Sequence, residues 1–303
     1  MSRIKKLVKN FLTNKQIRFA YLSRIGLFSL FSDEWYLKNL YQVCLGKQLD
    51  LKNPLTFNEK MQWLKLYDRK PLYSTMADKY AVKKYVADKI GEKYIIPSIG
   101  NSYDNFSDID FEKLPNQFVL KTNHDSGGVV VCKDKKSFDI YHAEKLLSNH
   151  LKRNYYYKSR EWPYKNVKPC IFAEEYVKDG NNEFLPVYKF LCFHGEPRVI
   201  QTIQNDKQPN ESIDYFDTEW NLLNLKQGFP NSKDPFEKPK KLQEMCEIAR
   251  KLSEGHAFLR VDLYVINNEV KFSEFTFYSD AGLSKFEPES WDRTLGDWIK
   301  LPM

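Results

Sequence analysis

Apolar positions along this chain change period partway, and the change divides it. From Asp33 to Tyr67 they recur at helical spacing. Asp33-Glu34-Trp35-Tyr36-Leu37 opens one helix, whose apolar positions continue through Leu40, Tyr41 and Leu45 to Gly46. Asn53-Pro54 punctuates the pattern. Thr56 followed by Glu59 then carries the capping-box signature of a second helix with Met61, Trp63, Leu64 and Tyr67. A third helix is predicted from Met76 through Val86 to Gly91. Beyond it, short β-rich runs dominate. Tyr94 to Ile99, Phe118 to Thr122, Val129 to Cys132, Ile171 to Val177, Val187 to Phe193 and Arg198 to Gln204 read as strands, and Ile213 to Phe216 and Glu219 to Leu225 extend the meander. Helices are predicted over 139–160 and 238–254, the second with Leu242, Met245, Cys246, Ala249 and Leu252 on one side.

The two most informative runs are Phe258 to Ile266 and Val270 to Phe277, joined by Asn267-Asn268-Glu269. They read as a hairpin with an acid in the middle of each strand, Asp262 and Glu274. Strand side chains alternate, so Arg260 and Asp262 share a face. A three-residue loop sets Asp262 opposite Glu274 and Arg260 opposite Thr276, whereas a two-residue loop puts the acids on opposite faces. Like charges facing across a ladder are destabilising unless compensated, and carboxylate oxygens are ligands that Mg²⁺ prefers. The alternative is a surface hairpin with solvated acids, which the flanking Leu, Val, Phe and Tyr disfavour.

Elsewhere, a strand ends on Lys121 and runs into His124-Asp125-Ser126-Gly127-Gly128. Glycines between strands let backbone N–H groups approach phosphate closely, although a plain hairpin turn explains the same residues. No Gly-Lys-Ser/Thr opens a helix, which excludes a Walker A loop. Tyr155-Tyr-Tyr-Lys-Ser-Arg160 fits either a sugar or nucleotide platform or an exposed helix end.

Charge and cysteine content narrow the classes. Net charge is +7 over 303 residues, but residues 1–32 hold Arg3, Lys5, Lys6, Lys9, Lys15, Arg18 and Arg24 and no acid. Ile4, Leu7, Val8, Phe11 and Leu12 fall among them at helical spacing, which fits a basic amphipathic helix on an anionic membrane surface or a helix packed on the body. Peripheral membrane contact is expected through residues 1–25, and nucleic-acid binding is not, because basic residues elsewhere are mixed with acids. Five scattered cysteines without a CxxC pair argue against a disulfide framework or zinc site. With no secretory h-region or apolar run of membrane-spanning length, the expected location is cytoplasmic, peripheral to the inner face of the membrane where that contact is made.

The phrases FNEKMQWLKLYDR, DKYAVKKYV, FVLKTNHDSGG, AEEYV, YKFLCFHGEP and RVDLYVINNEVKFSEFTFYSDAG, in that order, resemble the TupA-like ATP-grasp proteins of bacterial surface-polysaccharide gene clusters. The resemblance implies an α+β ATP-grasp fold in which two subdomains clasp ATP. A helical N-terminal segment over 1–70 would precede an N-subdomain over 71–170 and a C-subdomain over 171–303. It implies ATP and Mg²⁺ as cofactors. Lys79 and Lys121 would hold phosphates, and His124, Ser126, Gly127 and Gly128 would form the loop closing over the γ-phosphate. Glu174, Glu175, Tyr176 and Val177 would form the adenine hinge, with Glu183 or Asp179 on the ribose. Lys189 would be a third phosphate-side cation, Asp262 and Glu274 the Mg²⁺ carboxylates, and Arg260 the partner of the tetrahedral intermediate. Thr276 stands where many such ligases have an Asn metal ligand. That metal role requires the odd-length loop.

The implied activity is an ATP-dependent carboxylate–amine ligase acting through an acylphosphate, joining an amino acid or amine to a uronic acid or other carboxylate of a cell-surface glycan. Two other classes stand beside it. A glycosyltransferase would use a D-x-D pair, and Asp108-Ile-Asp110 supplies one only in a polar linker. A non-catalytic nucleotide-binding protein would fit Thr276.

Overall fold

The computed structural model describes residues 11–24, 26–180, 185–206 and 208–302. The expectations placed on residues 1–10 and on Glu183 therefore lie outside the described residues.

Helices lead the chain. α1 (Lys15–Arg24) and α2 (Asp33–Leu45) pack around Phe19, Tyr36, Leu37, Leu40 and Tyr41. Ser32 caps α2 by accepting from the Trp35 N–H, and Gly46 ends it in the left-handed region. The capping box predicted for α3 (Phe57–Tyr67) forms in full: Thr56 accepts from the Glu59 N–H and Glu59 reaches back to the Thr56 N–H. The single helix predicted from Met76 is instead two, α4 (Pro71–Ala77) and α5 (Val82–Ile90), with Asp78-Lys79 in the break. Asp78 causes the break. Its Oδ1 accepts from the N–H groups of Tyr80 and Ala81, at 2.9 and 3.0 Å, which competes with helical pairing.

β1 (Ser98–Tyr103), β2 (Phe118–Thr122), β3 (Val129–Cys132) and, after α6 (Ile140–Leu151) and the short α7 (Tyr156–Ser159), β4 (Ile171–Glu175) make a four-stranded antiparallel sheet in the order β1-β4-β2-β3. Its core holds Phe118, Leu120, Ile171 and Ala173 under Ala143 and Leu147 of α6. β4 thus lies in the first sheet, although the sequence reading placed residue 171 at the start of the C-subdomain. Its pairing with both β1 and β2 decides the matter, because every residue from Ile171 to Glu175 has a partner on β2.

The second sheet combines β5 (Val187–Phe193), β6 (Glu196–Gln204), β7 (Ser212–Phe216), β9 (Phe258–Ile266) and β10 (Glu269–Thr276) in the order β10-β9-β5-β6-β7, all antiparallel. The run at 219–225 is not a strand; a two-residue strand β8 (Lys226–Gln227) follows it and pairs with β11 (Phe286–Glu287). α8 (Leu242–Ser253) covers the sheet with the predicted Leu242, Met245, Ala249 and Leu252 all buried, and α9 (Ser290–Asp297) packs on α3. α3, α4 and α5 share this large core, while α1 and α2 pack in a separate cluster of their own, as a helical N-terminal segment would. None of the five cysteines is in a disulfide.

α3 also clamps the turn after β10. Gln62 Nε2 donates to the Ala281 and Gly282 carbonyls at 3.0 and 2.7 Å, and the buried Lys65 Nζ donates to the Ala281 carbonyl at 2.7 Å. Burial, partly offset by Glu161, pushes the Lys65 ammonium down to about 8. Asp280 and Ala281 adopt left-handed backbone with φ of 47° and 56°, a conformation that costs of order 1–3 kcal/mol unless the surroundings enforce it. Gly282 has φ +61° and lies against α3, where an added Cβ would sit 2.3 Å from the Met61 Cβ. Gly282→Ala should therefore lower the unfolding free energy by about 1–3 kcal/mol, read as a lower urea midpoint with an unchanged slope.

Candidate functional site

The second hairpin has a two-residue turn, not the three-residue loop that the metal assignment required. Asn267 and Asn268 form it with φ of 50° and 62°, the type I′ geometry that matches strand twist. Glu269 pairs with Ile266, and the ladder runs regularly to Phe272 opposite Leu263. Continued unbroken, it would put Glu274 on the wrong face. A β-bulge intervenes at Ser273, and Glu274 pairs with Asp262 and Thr276 with Arg260. The expected facing of the acids is met, and the expected means is wrong: the extra residue sits in the strand instead of the turn.

Register then aligns a polar row across the whole sheet. Glu274 faces Asp262, Asp262 faces Lys189, Lys189 faces Gln201, and Gln201 faces Tyr215. Directly paired residues share a face, so these five project to one side. Arg260 grips Asp262 with both arms of its fork, Nε to Oδ1 at 2.7 Å and Nη2 to Oδ2 at 2.9 Å. Its Nη2 also stands 3.9 Å from Glu274, and its Nη1 donates to Ser279 Oγ at 3.4 Å. Lys79 lies 4.0 Å from the other Glu274 oxygen, and Lys189 lies 4.0 Å from Asp262. Burial alone would raise the Glu274 carboxyl, but Lys79, Arg260, Lys189 and Lys121 hold it below its ordinary value. Burial, with Arg260 beside it, pushes the Lys189 ammonium down.

The first sheet contributes a second cluster. Lys121 and Lys83 both pair with the buried carboxylate of Glu174, Lys83 at 2.6 Å. Lys83 also donates to the Ile96 carbonyl at 2.7 Å. Burial would raise Glu174, yet Lys121 and Lys83 together hold it below its usual value. The charge of Lys121 is felt by Tyr264 and Glu274 on the hairpin, so this cluster neighbours the row.

Between the clusters lies the glycine turn. Ser126 and Gly127 are exposed, and Gly127 has φ +92°. Gly128 has no room for a side chain, since a Cβ would fall 1.9 Å from Thr122 Oγ1. The base of the turn is fixed. Asp125 accepts from Thr122 Oγ1 at 2.5 Å and is bonded to His150 of α6, while Lys79 Nζ donates to the Asp125 carbonyl. His124 is buried with its ring nitrogens 3.2 Å from Asn123 Oδ1 and 3.0 Å from the Arg153 carbonyl, so its side chain anchors the turn. That burial is the chief cause that lowers its imidazole pKa.

The remaining expected residues divide. Glu175 is exposed, with its N–H donating to the Pro97 carbonyl at 3.1 Å, and Tyr176 and Val177 follow, partly buried, as the chain leaves the first sheet. Asp179 Oδ1 accepts from the Asn267 N–H at 2.9 Å, tying that exit to the hairpin turn. Thr276 is partly exposed beside Arg260. Asp108 and Asp110 do not form a metal pair: Asp108 accepts from the Asn105 N–H, and Asp110 caps the next turn and pairs with Lys113.

Sequence reading missed Lys83, Gln201, Tyr215 and Asp280. Lys83 follows Lys79 by four residues in DKYAVKK, but Lys79 lies in the break before α5 and Lys83 on that helix, so no helical spacing links them. Gln201 and Tyr215 are found only through register. Asp280 is exposed, and its charge raises the Arg260 and Tyr215 pKa values, which places it over the same row.

Among the described residues no group of three or more His, Cys, Asp or Glu is assembled to hold a metal ion. The Glu274 oxygens meet cations only at 3.9 and 4.0 Å, so they are free to bind one, while Asp262 serves Arg260. Mg²⁺ commonly takes one or two carboxylates and completes its shell with water and substrate phosphates. The donor set fits an ion that arrives with a polyphosphate.

Comparison with known proteins gives one family. The model for TupA-like ATPgrasp matches residues 59–300. No curated protein matches. Solved structures with partial likeness include D-alanine-D-alanine ligase from Helicobacter pylori, 17% identical over 80% of this chain and 69% of that one, with a TM-score of 0.45. The D-alanine–D-alanine ligase from Bacillus anthracis is 18% identical over 67% of this chain and 57% of its own, with a TM-score of 0.37. The ATP-grasp ligase PsnB is 10% identical over 72% of this chain and 58% of its own, with a TM-score of 0.39. Membership therefore rests on the family match.

Glu174 supplies a pH test. A carboxylate whose folded pKa is depressed contributes stability above its unfolded value, near 4.5, and loses it as pH falls through the folded value. Glu174→Gln leaves Lys83 and Lys121 without their anion and should cost on the order of 3 kcal/mol at pH 7. The variant's stability should fall less steeply than wild type below pH 4.5, measured by urea unfolding at each pH.

Proposed function

This chain belongs to the TupA-like ATP-grasp family, and from that premise we propose that it is an ATP-dependent carboxylate–amine ligase acting on a carboxylate of a bacterial surface polysaccharide or its precursor. One observation carries the reading. The Ser273 bulge turns Glu274 onto the face of Asp262, where Lys79, Lys189 and Arg260 converge from three other places in the chain.

A carboxylate is a poor electrophile until an oxygen carries phosphate. In the proposed reaction a carboxylate oxygen of the substrate attacks the γ-phosphorus of ATP, ADP leaves, and an acylphosphate results. The amine then attacks the acyl carbon, loses a proton, and expels phosphate to form the amide. Phosphoryl transfer of this kind depends on positioning and charge neutralisation rather than on covalent help. Lys79, Lys121 and Lys189 are suited to the phosphate charge. The exposed tip at Ser126-Gly127 offers backbone N–H groups to the γ-phosphate, and its fixed base keeps them in reach of Lys79. Glu175 to Val177 would seat the adenine as the chain crosses between the sheets. When bound, Mg²⁺ supplies charge neutralisation and alignment of the phosphates, and Glu274, Asp262 and the Thr276 hydroxyl are the residues that would hold it.

Arg260 is the natural partner of the tetrahedral oxyanion. Asp262 fixes two of its nitrogens, and Ser279 lies at the third. Asp262 therefore orients the arginine as well as facing the metal side. Gln201 and Tyr215 extend the row beyond Lys189, and a hydrogen-bond chain from Gln201 through Tyr215 to Gln227 makes a neutral polar wall suited to a hydroxylated substrate. The basic character of residues 1–25 would hold the enzyme at the inner face of the membrane.

Mg·ATP should raise the melting temperature of the wild type, and Asp262→Ala and Glu274→Ala should each remove that rise; an undiminished rise in both variants refutes the metal assignment. Screening uronic acids against amines should yield ADP and phosphate that appear only when both substrates are present. Nucleoside diphosphate release from a nucleotide sugar would refute the ligase reading.

A further inference from the structure

Large apolar side chains are exposed singly over most of the described surface but gather in one place. Leu27, Leu30, Phe31 and Trp35 all face solvent at the turn between α1 and α2, Leu30 at 96% exposure. They make one surface. Phe31 stacks on Trp35 with ring centroids 4.2 Å apart, and Phe28 lies beneath both, against the buried Phe19. The turn between α1 and α2 thus holds its aromatic rings in a fixed group while Leu27 and Leu30 point outward. Contiguous exposed patches of this kind mark interaction sites.

Charge identifies the occupant. Residues 1–32 carry seven lysines and arginines and no acid, and among the described ones Lys15 and Arg18 flank the patch. The two acids at its edge are already engaged. Asp33 pairs with Arg69 and accepts from Tyr156, and Glu34 pairs with Lys38. Exposed leucines with Phe and Trp rings at the end of a basic, acid-free stretch of chain match the interface of an anionic bilayer, where aromatic rings lie at headgroup level and cations meet lipid phosphates. We propose that this surface docks on an anionic phospholipid membrane, with Leu27, Leu30 and Phe31 as the inserting residues. The inserting residues then lie in the turn after α1, at the end of the basic stretch that would meet the lipid phosphates.

The same surface is joined to the polar row through the chain. Residues 155–161 bridge the two. On one side Ser23 bonds Tyr36 Oη at 2.7 Å and the Tyr157 carbonyl at 3.2 Å, and the Lys158 carbonyl accepts from Tyr36 Oη at 3.0 Å. Arg160 stacks on Tyr36 at 4.4 Å. On the other side, Glu161 lies within the field of Arg260 and Lys65, and Tyr155 within that of Glu274 and Asp280. A substrate carried on a lipid would reach the polar row from this direction.

The test needs no turnover, so it stands apart from the ligase reading. Full-length protein is floated with vesicles of phosphatidylglycerol and phosphatidylcholine, and with phosphatidylcholine alone. Wild type should float only with the anionic vesicles, and less so as salt rises. Leu30→Asp and the double variant Leu30→Asp/Phe31→Asp should bind at least tenfold more weakly with melting temperatures near wild type, whereas Leu222→Asp, at an exposed leucine outside the patch, should bind as wild type does. The proposal is overturned if wild type ignores anionic vesicles, or if Leu30→Asp floats as well as wild type. It is also overturned if wild type is a dimer that Leu30→Asp dissociates while vesicle binding is absent, since a second copy would then own the surface.

Discussion

Two carboxylates held face to face on neighbouring strands would push a hairpin apart, and this structure is arranged so that they do not. Asp262 and Glu274 occupy paired positions in a buried sheet, and cations reach them from three directions: Arg260 along the same strand, Lys189 from the next strand, and Lys79 from the break between two helices. Each of those cations is in turn placed by something else. Asp78 breaks the helix that would otherwise carry Lys79 away. The bulge at Ser273 gives Glu274 its face. The clamp of α3 on the turn at 279–282 sets Ser279 against Arg260. Remove the repulsion and none of these devices has a reason to converge.

The sequence carried the helices well because their signals are local. Thr56 with Glu59, and the apolar side of α8, depend on residues three or four apart and were read correctly. Strand membership is less local: β4 looks the same on paper whichever sheet receives it, and only its pairing with β1 and β2 assigns it. The hairpin is the sharpest case. Counting residues between Asp262 and Glu274 told correctly that one extra residue was needed for the acids to meet, but the count cannot say whether it lies in the turn or in a strand. Asn267-Asn268 is a good type I′ pair and takes the turn for itself. Ser273 is left to bulge.

The site was legible to a similar depth. Lys79, Lys121, Lys189, Arg260, Asp262 and Glu274 converge, as expected from their order in the chain. Gln201 and Tyr215 were invisible because membership of the row depends on a register running across five strands. His124 anchors the base of the glycine turn through contacts with Asn123 and Arg153 that no spacing rule encodes.

The paired lysines on Glu174 have a consequence for which ligands can enter. Before anything binds, the cleft is not an open positive hole but a set of closed pairs: Lys121 and Lys83 already share an anion, and Arg260 already has Asp262. An incoming anion must therefore take a lysine from a buried carboxylate that is well placed to keep it. On the proposed reading, a chain of phosphates would displace several pairs at once and reach Lys79, Lys121 and Lys189 together, which a small anion of lower charge would not. Selectivity for a polyphosphate then lies in what the empty site is already holding, quite apart from any contact made to the nucleotide's base.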